Sequence, residues 1–328
     1  MQNLKFVFKR NMKRKVLNAL LSFPVFYVTG RLRIIPILYL IKKLKILKLG
    51  WILELMWSPN LIRKSADIFF QEKLVKVNTQ ICQKHLDVNN ELGYVYFINE
   101  SLENKVEIFA KRFELRQSDY FLDIGANTGL IAIPIAVVSG CKVIAIEASK
   151  ANASLLLKNA YINNIIMIPH ICCLVDPLTR LNKAYLEFYL NIGNKGASSL
   201  HAGWNSSKGR TVIEKVSTAT LDEIITEEQL NNIRLIKIDV EGAEDLILLG
   251  GQNLFKTKAP IIFEYRIDIL RRNTNKSGNE FLDLLRENYT FFSLNENGNL
   301  EPFEEENKYM NAVAIPKSEL SSFERFFL

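Results

Sequence analysis

The sequence predicts an α/β fold: a mostly parallel, twisted sheet with helices on both faces and a reversed last strand. Three observations predict it. From residue 120 onwards, short apolar runs of strand type alternate with segments of helical periodicity, the pattern of βαβ units. Within this alternation, Tyr120-Phe-Leu-Asp-Ile-Gly-Ala-Asn-Thr-Gly129 reads as a buried strand that ends in a glycine turn and opens a helix. A glycine loop between a strand and a helix N-terminus is a nucleotide-type site in open sheets of this kind. Near the C-terminus, strand-like runs at 290–294 and 311–315 follow one another with little helix between them, which makes a hairpin and therefore one antiparallel strand.

The chain is long enough, at 328 residues and 48% hydrophobic, to bury one large core and still carry an extension. Its net charge of +7 is unevenly spread. Residues 1–64 hold 14 of the 42 Lys/Arg and one of the 35 acids, Glu54, leaving 28 bases and 34 acids for the remainder. The basic character belongs to the N-terminal segment, and the mildly acidic remainder lacks the basic surface of a nucleic-acid enzyme. Cys82, Cys141, Cys172 and Cys173 form no CxxC pair, and with His85, His170 and His201 scattered they suggest neither a disulfide framework nor a zinc site. Buried thiols suit a reducing cytosol, so a cytoplasmic location is expected.

Taken in order, residues 1–15 are basic, 16–30 uncharged but interrupted by Pro24, and 34–41 apolar around Pro36. Lys42, Lys45 and Lys48 then recur at helical spacing among leucines and isoleucines, with Trp51 and Trp57 following. No apolar run reaches the roughly 18–20 residues of a spanning helix. A helical arm that covers the catalytic domain and an interfacial segment that lies peripherally on an anionic membrane are the two leading readings. A signal peptide and a true transmembrane helix are two further ones. The whole of 1–90 is read as a basic, apolar, helical extension, with 65–117 mostly helical apart from a break at 87–90 and a strand-like run at 93–98. A lead-in helix at 102–115 places Leu102, Val106, Phe109, Ala110 and Phe113 on one face. Strands are then expected at 120–124, 141–147, 165–171, 235–240 and 261–265, with helices at 130–138, 152–161, 243–249 and 280–288. Strand signals at 185–190 and 211–217 flank a loop rich in Gly and Ser.

The chemistry concentrates at strand ends. A dinucleotide loop wants G-x-G-x-x-G, whereas Gly125 and Gly129 are spaced G-x-x-x-G and Asp123 stands two residues before the first of them. A carboxylate there repels a pyrophosphate but suits a cationic ligand. S-adenosylmethionine offers a sulfonium and an α-ammonium and no phosphate. Ala126 lies in the turn, and Asn127 has an amide to offer to a ligand carboxylate. Glu147, followed by Ala148, ends the second strand and is placed to accept hydrogen bonds from ribose hydroxyls. In Leu235-Ile-Lys-Ile-Asp-Val-Glu-Gly-Ala-Glu244, Asp239 ends a strand, Glu241 and Glu244 follow into the next helix, and Lys237 points to the same face as Asp239. Glu244 reads equally well as a helix N-terminal acid. Glu264, in an otherwise apolar strand, needs a ligand or a partner such as Lys237 or Arg266. His201, in the polar loop with Ser198 and Ser199, is a weak candidate for a base.

Together these pieces resemble the FkbM family of S-adenosylmethionine-dependent methyltransferases over about residues 93–316. The match rests on Asp123-Ile-Gly-Ala-Asn-Thr-Gly129, Glu147, Asn159, the Ser198-Ser199 loop, Thr220-Leu-Asp222, Lys237-Ile-Asp-Val-Glu-Gly-Ala-Glu244, Glu264 and the strand beginning at Asn311. The resemblance implies a Rossmann-like class I methyltransferase fold, with a seven-stranded sheet whose last strand is antiparallel, over residues 91–328. It also implies O-methylation of a hydroxyl on a sugar, a glycan or lipid, or a secondary metabolite. Cys172-Cys173 departs from the family's pattern of small residues before an acid, and Asp176 stands in that acid's place near the adenine. Asp239 is the first candidate for the general base, Glu241 the second, and Lys237 completes the catalytic set. No metal ligand is assigned, although a divalent cation held by Asp239, Glu241 and Glu264 is an alternative role for these acids. Two other readings stay open: an NAD- or nucleotide-sugar-dependent enzyme, and a non-catalytic, membrane-associated methyltransferase-like protein. The acceptor and the oligomeric state have no readable code.

The basic arm has its own test. Residues 1–64 fused to a soluble reporter are expected to co-sediment with anionic vesicles at low salt and to be released as salt rises, because charge and apolar residues interleave there. A fusion that stays in the supernatant at low salt removes the membrane reading.

Overall fold

The structure is a computed structural model, and it describes residues 74–78, 81–87, 105–191, 198–200, 211–266, 278–305 and 309–327. The basic arm, the strand-like run at 93–98 and His201 lie outside the described residues. The chain divides into two compact units, residues 1–75 with 86–100, and residues 76–85 with 101–328. The second unit carries the main sheet and the candidate site. No helix among the described residues is long and apolar enough to cross a membrane.

The main sheet is built from β3 (Tyr120–Ile124), β4 (Lys142–Ile146), β5 (Met167–His170), β9 (Ile233–Ile238), β10 (Ile261–Arg266), β11 (Tyr289–Leu294), β12 (Leu300–Pro302) and β13 (Tyr309–Pro316). Their order is β12-β11-β13-β10-β9-β3-β4-β5. The five strands from β10 to β5 are parallel. β13 returns antiparallel between β10 and β11, so the last strand is reversed as the terminal hairpin predicts. One difference is the strand count. Asn295 accepts backbone N–H bonds from Asn297 and Asn299 through its side chain, and this turn folds Leu300–Pro302 back onto β11 as an eighth, edge strand. Three residues are too few to show period-2 alternation in a sequence.

Each face of the sheet carries its own apolar core. On one side, Phe121, Val143, Leu235, Ile262, Val313 and Ile315 meet helices α1 (Lys105–Arg112) and α2 (Ala132–Ser139) and the C-terminal 3-10 helix Lys317–Phe326. On the other, Leu122, Ile144, Ile236, Ile238 and Phe263 meet α5 (Leu221–Glu227), α6 (Glu244–Leu249) and α7 (Gly278–Arg286). The parity of the strands decides the face, since successive side chains alternate across a pleat. α5 starts at a capping box in which Thr220 and Glu223 satisfy each other's backbone N–H groups, as the Thr220-Leu-Asp-Glu223 sequence allows. A smaller sheet of β7 (Tyr185–Asn191), β8 (Thr211–Ala219) and β6 (Cys173–Leu174) has the two strands expected around the Gly/Ser-rich loop. Cys82, Cys141, Cys172 and Cys173 are buried and none is in a disulfide.

The region read as mostly helical is not so throughout. It contains a two-stranded sheet, β1 (Leu74–Asn78) and β2 (Gln83–Asp87). Leu74-Val-Lys-Val-Asn78 alternates with period 2, and β-branched residues favour a strand. The reason the strand wins is tertiary: β2 hydrogen-bonds to α3 (Lys150–Ile162) through Asn159, and through Asn163 just beyond it.

Phe263 sits at 1% exposure among Tyr265, Phe281 and Phe291 at the centre of the second core. Phe263→Ala is expected to lower stability by about 3–5 kcal/mol, read as a lower urea midpoint with an unchanged m-value. A loss below about 1 kcal/mol would show that the site collapses around the cavity.

Candidate active site

Strand parity carries the site as well as the core. Phe121 and Leu235 face the first core, so Asp123 and Lys237, two residues on, face the same side, where the register sets them directly opposite each other. Lys237 Nζ donates to Asp123 Oδ1 at 3.0 Å and to the Gly125 carbonyl at 3.2 Å, and lies 3.7 Å from Asp239 Oδ2. Asp123 is 1% exposed and Lys237 6%. Burial acts to lower the Lys237 pKa, but the carboxylates of Asp123, Asp239 and Glu147 outweigh it and hold the ammonium protonated. Burial pushes the Asp123 pKa up against the pull of Lys237, and its Oδ2 has no hydrogen-bond partner.

The glycine turn leaves no room for a side chain. Gly125 has φ +75°, and a Cβ there would lie 1.9 Å from the Asp239 carbonyl oxygen. Its amide and that of Ala126 both donate to the Ile146 carbonyl, at 2.9 and 3.0 Å. The loop is therefore tied to the ends of both β4 and β9. Asn127, at φ +52°, donates its backbone N–H to Glu147 Oε2 at 2.8 Å. Glu147 Oε1 accepts from the Ser149 amide at 2.9 Å and from Asn152 Nδ2 at 3.5 Å. Burial raises the Glu147 pKa against these donors. Glu147 thus clamps the turn to the start of α3. Ala148 packs beside Cys173, Phe188 and Val216. Gly129 has φ +81°, a conformation that L side chains rarely adopt, which is why glycine stands there.

Beyond β9 the chain makes a strained turn, with Glu241 at φ +57° and Gly242 at φ +101°. Glu244, 4% exposed, accepts the N–H groups of Val240 and Gly242 through Oε1, each at 3.2 Å. Burial raises its pKa to about 7. It works as the turn's internal acceptor, the structural half of its two sequence readings. Ser199 Oγ donates to the Glu241 carbonyl at 3.0 Å. Asp239, Glu241 and Glu264 bring one carboxylate oxygen each within 4.8 Å of one another, a spacing a divalent cation can bridge. Burial first, and then the neighbouring carboxylates of Asp239, Glu264 and Glu244, push the Glu241 pKa up to about 9, with Arg266 pulling it down.

Asp176 caps α4 (Pro177–Asn182), with its carboxylate accepting from the Thr179 amide at 3.0 Å and from the Thr179 hydroxyl. Sequence reasoning did not foresee the roles of Ser199 and Asn159. Asn159 is fully buried and donates to the Thr128 carbonyl, at 2.9 Å, inside the glycine turn. An asparagine on the buried face of a helix between Leu155 and Ala160 is the signal that points to it, since buried amides need partners.

Residues 123–312, more than half of the chain, match the family model of the methyltransferase FkbM domain. No curated protein matches the sequence. Among solved structures, the chain is similar to M. jannaschii TYW2 in complex with AdoMet at 12% identity, covering 76% of this chain and 87% of that one, TM-score 0.38. It is also similar to an O-methyltransferase from Bacillus cereus in complex with SAH, at 14% identity, 65% and 80% coverage and TM-score 0.38. A TehB-like SAM-dependent methyltransferase from Corynebacterium glutamicum aligns at 9% identity, 68% and 94% coverage and TM-score 0.40. Likenesses this distant carry none of these proteins' activities over to the chain.

The raised Glu241 pKa has a measurable consequence. The carboxyl titrates near pH 9 when folded against an ordinary value of 4.5, so the folded state holds the proton more tightly. That contribution to stability is fully present below pH 4.5 and is lost as pH rises towards 9. Glu241→Gln stays neutral throughout. Its Tm is expected to gain on the wild type by roughly 10 °C or more at pH 9 relative to pH 5, since a carboxyl pKa raised from 4.5 to about 9 is worth several kcal/mol over that window and each kcal/mol moves Tm by about 2–4 °C in a domain of this size. A Tm difference that does not change with pH would show that Glu241 is ionised in the folded protein.

Proposed function

Because the chain belongs to the FkbM family of S-adenosylmethionine-dependent methyltransferases, we propose that it moves the methyl group of S-adenosylmethionine onto a hydroxyl oxygen of a sugar, a glycan or lipid, or a secondary metabolite. The observation that carries this reading is the acid-rich sheet edge around Gly125. Asp123, Glu147 and Asp239 stand around the Gly125 turn, with the ammonium of Lys237 among them. A pyrophosphate is repelled by three carboxylates, whereas a sulfonium and an α-ammonium are favoured. This speaks for the sulfonium donor over a dinucleotide or nucleotide sugar. The residues that would hold the donor are Asp123, with its unpartnered Oδ2, the side-chain amide of Asn127, and Glu147 toward the ribose.

Bound S-adenosylmethionine supplies a methyl carbon already activated by its sulfonium, so the protein mainly aligns the acceptor. A neutral hydroxyl is a poor nucleophile and gains from a carboxylate that takes its proton as the carbon–oxygen bond forms. Asp239, at 42% side-chain exposure beside Lys237, is open to an acceptor. Glu241, protonated at neutral pH, is suited to donate a hydrogen bond and not to act as the base. Asp239 would take the hydroxyl proton as the acceptor oxygen bonds to the methyl carbon that bound S-adenosylmethionine would supply, the sulfur keeping the electron pair of the bond it loses.

The experiment uses full-length protein, methyl-labelled S-adenosylmethionine and metabolite-extract fractions as acceptors. Asp239→Asn is expected to keep S-adenosylhomocysteine affinity within about threefold while transfer falls roughly 10²–10⁴-fold, the usual worth of a positioned base. A near-normal rate would remove Asp239 from that role. Transfer is expected to survive EDTA. A loss restored by magnesium would instead make Asp239, Glu241 and Glu264 cation ligands.

A further inference from the structure

Helix α3 receives strand β2 in a regular way. Asn159 Oδ1 accepts from the His85 amide at 2.7 Å, and its Nδ2 donates to the His85 carbonyl at 3.2 Å. One turn on, Asn163 Oδ1 accepts from the Gln83 amide at 2.8 Å, and its Nδ2 donates to the Gln83 carbonyl at 2.6 Å. Residues i and i+4 of a helix are about 6 Å apart, as are residues i and i+2 of a strand. Two asparagine amides spaced by one turn thus imitate the edge of a sheet, and Gln83 and His85, two residues apart on β2, each pair with one of them. The match depends on period, so it fixes the register of β2 against the helix.

The same contact reaches the candidate donor site. Asn159 has a second donor hydrogen, which goes to the Thr128 carbonyl. Lys84, between the two paired residues and 5% exposed, donates from Nζ to the Leu130 carbonyl at 3.2 Å. Residues 83–85 therefore hold the glycine turn on both sides of Gly129, through Asn159 and through Lys84. The other polar clamps described on that turn come from strand ends already in the sheet, Ile146, Glu147 and Lys237.

We propose that Asn159 is a positioning residue for donor binding, and that the Asn159–Asn163 rail couples docking of residues 83–85 to occupancy of the donor site. Coupling between two such events is reciprocal: a ligand that stiffens the turn tightens the strand, and a looser strand weakens the ligand by the same factor. The inference rests on S-adenosylmethionine being the donor and adds a route by which a segment outside the main sheet sets donor affinity.

The test takes the full chain with S-adenosylhomocysteine as the probe. Calorimetry gives Kd for the wild type, Asn159→Ser and Asn163→Ser, and amide hydrogen exchange follows Gln83 and His85 with and without the probe. Kd is expected to rise roughly tenfold in Asn159→Ser, which leaves the Thr128 carbonyl without its buried donor. A smaller rise, about threefold, is expected in Asn163→Ser, which touches only the strand. In the wild type, exchange at His85 is expected to slow when the probe binds. Should Asn159→Ser not fold, Asn163→Ser and the wild-type exchange carry the test. Faster exchange at Gln83 in Asn163→Ser with an unchanged Kd would overturn the coupling, as would wild-type exchange indifferent to the probe. A wild type that binds no S-adenosylhomocysteine would overturn the donor reading and this inference together.

Discussion

The buried pair of Lys237 and Asp123 is the interaction on which the site depends. Two charges at the centre of a sheet face carry a heavy desolvation penalty, and only close geometry offsets it. Here the geometry comes from the register of β3 and β9, which puts the two residues opposite each other before any side chain chooses a rotamer. The ammonium then spends its second hydrogen bond on the Gly125 carbonyl. A single cation thus fixes the height of the glycine turn over the sheet and the position of Asp239 beside it. Removing either partner of such a pair typically costs about 3–5 kcal/mol, because the survivor stays buried and unpaired.

From that pair outward, the polar groups form a row along the carboxyl edge of one face. Glu147 extends the parity of Val143, Asp239 that of Leu235, and Glu264 that of Ile262, while Asn311 is the register partner of Glu264. The face that is apolar at its centre turns acidic at its end. This is how one strand can serve both core and site: the inner residues bury against α1 and α2, and the next residues of the same parity emerge where parallel strands stop. The crowding of acids has an electrostatic result. Glu241 takes up a proton that its neighbours' charge and its own burial make hard to lose, and Asp239 is left beside the ammonium of Lys237.

The turns around the site are held by side chains acting as backbone substitutes. Glu147 receives amides at both oxygens, Glu244 receives two through one oxygen, and Asn159 serves a strand and a turn at once. Positive φ values at Asn127 and Glu241 are tolerated because these acceptors define the local path of the chain.

The amino-acid sequence by itself determined the alternation of strands and helices from Tyr120 on, the reversed strand near the C-terminus, and the acid–glycine–acid constellation that disfavours a phosphate ligand. These are local or periodic properties, and pattern suffices for them. Its reading of residues 65–117 failed at β1 and β2 because what stabilises β2 is a pair of asparagines about 80 residues away, invisible to any window. The eighth strand was too short to show a period. Asp176, which the resemblance places near the adenine, caps a helix through Thr179, three residues on, a contact that the motif position does not foretell. Glu241 and Glu244 share one motif, in which the sequence favours Glu241 as a site acid and leaves Glu244 open between the site and a helix N-terminus. Only the tertiary structure gave Glu244 to the backbone of the turn and surrounded Glu241 with three carboxylates, because burial and charge proximity are properties of the packed chain and of no segment of it.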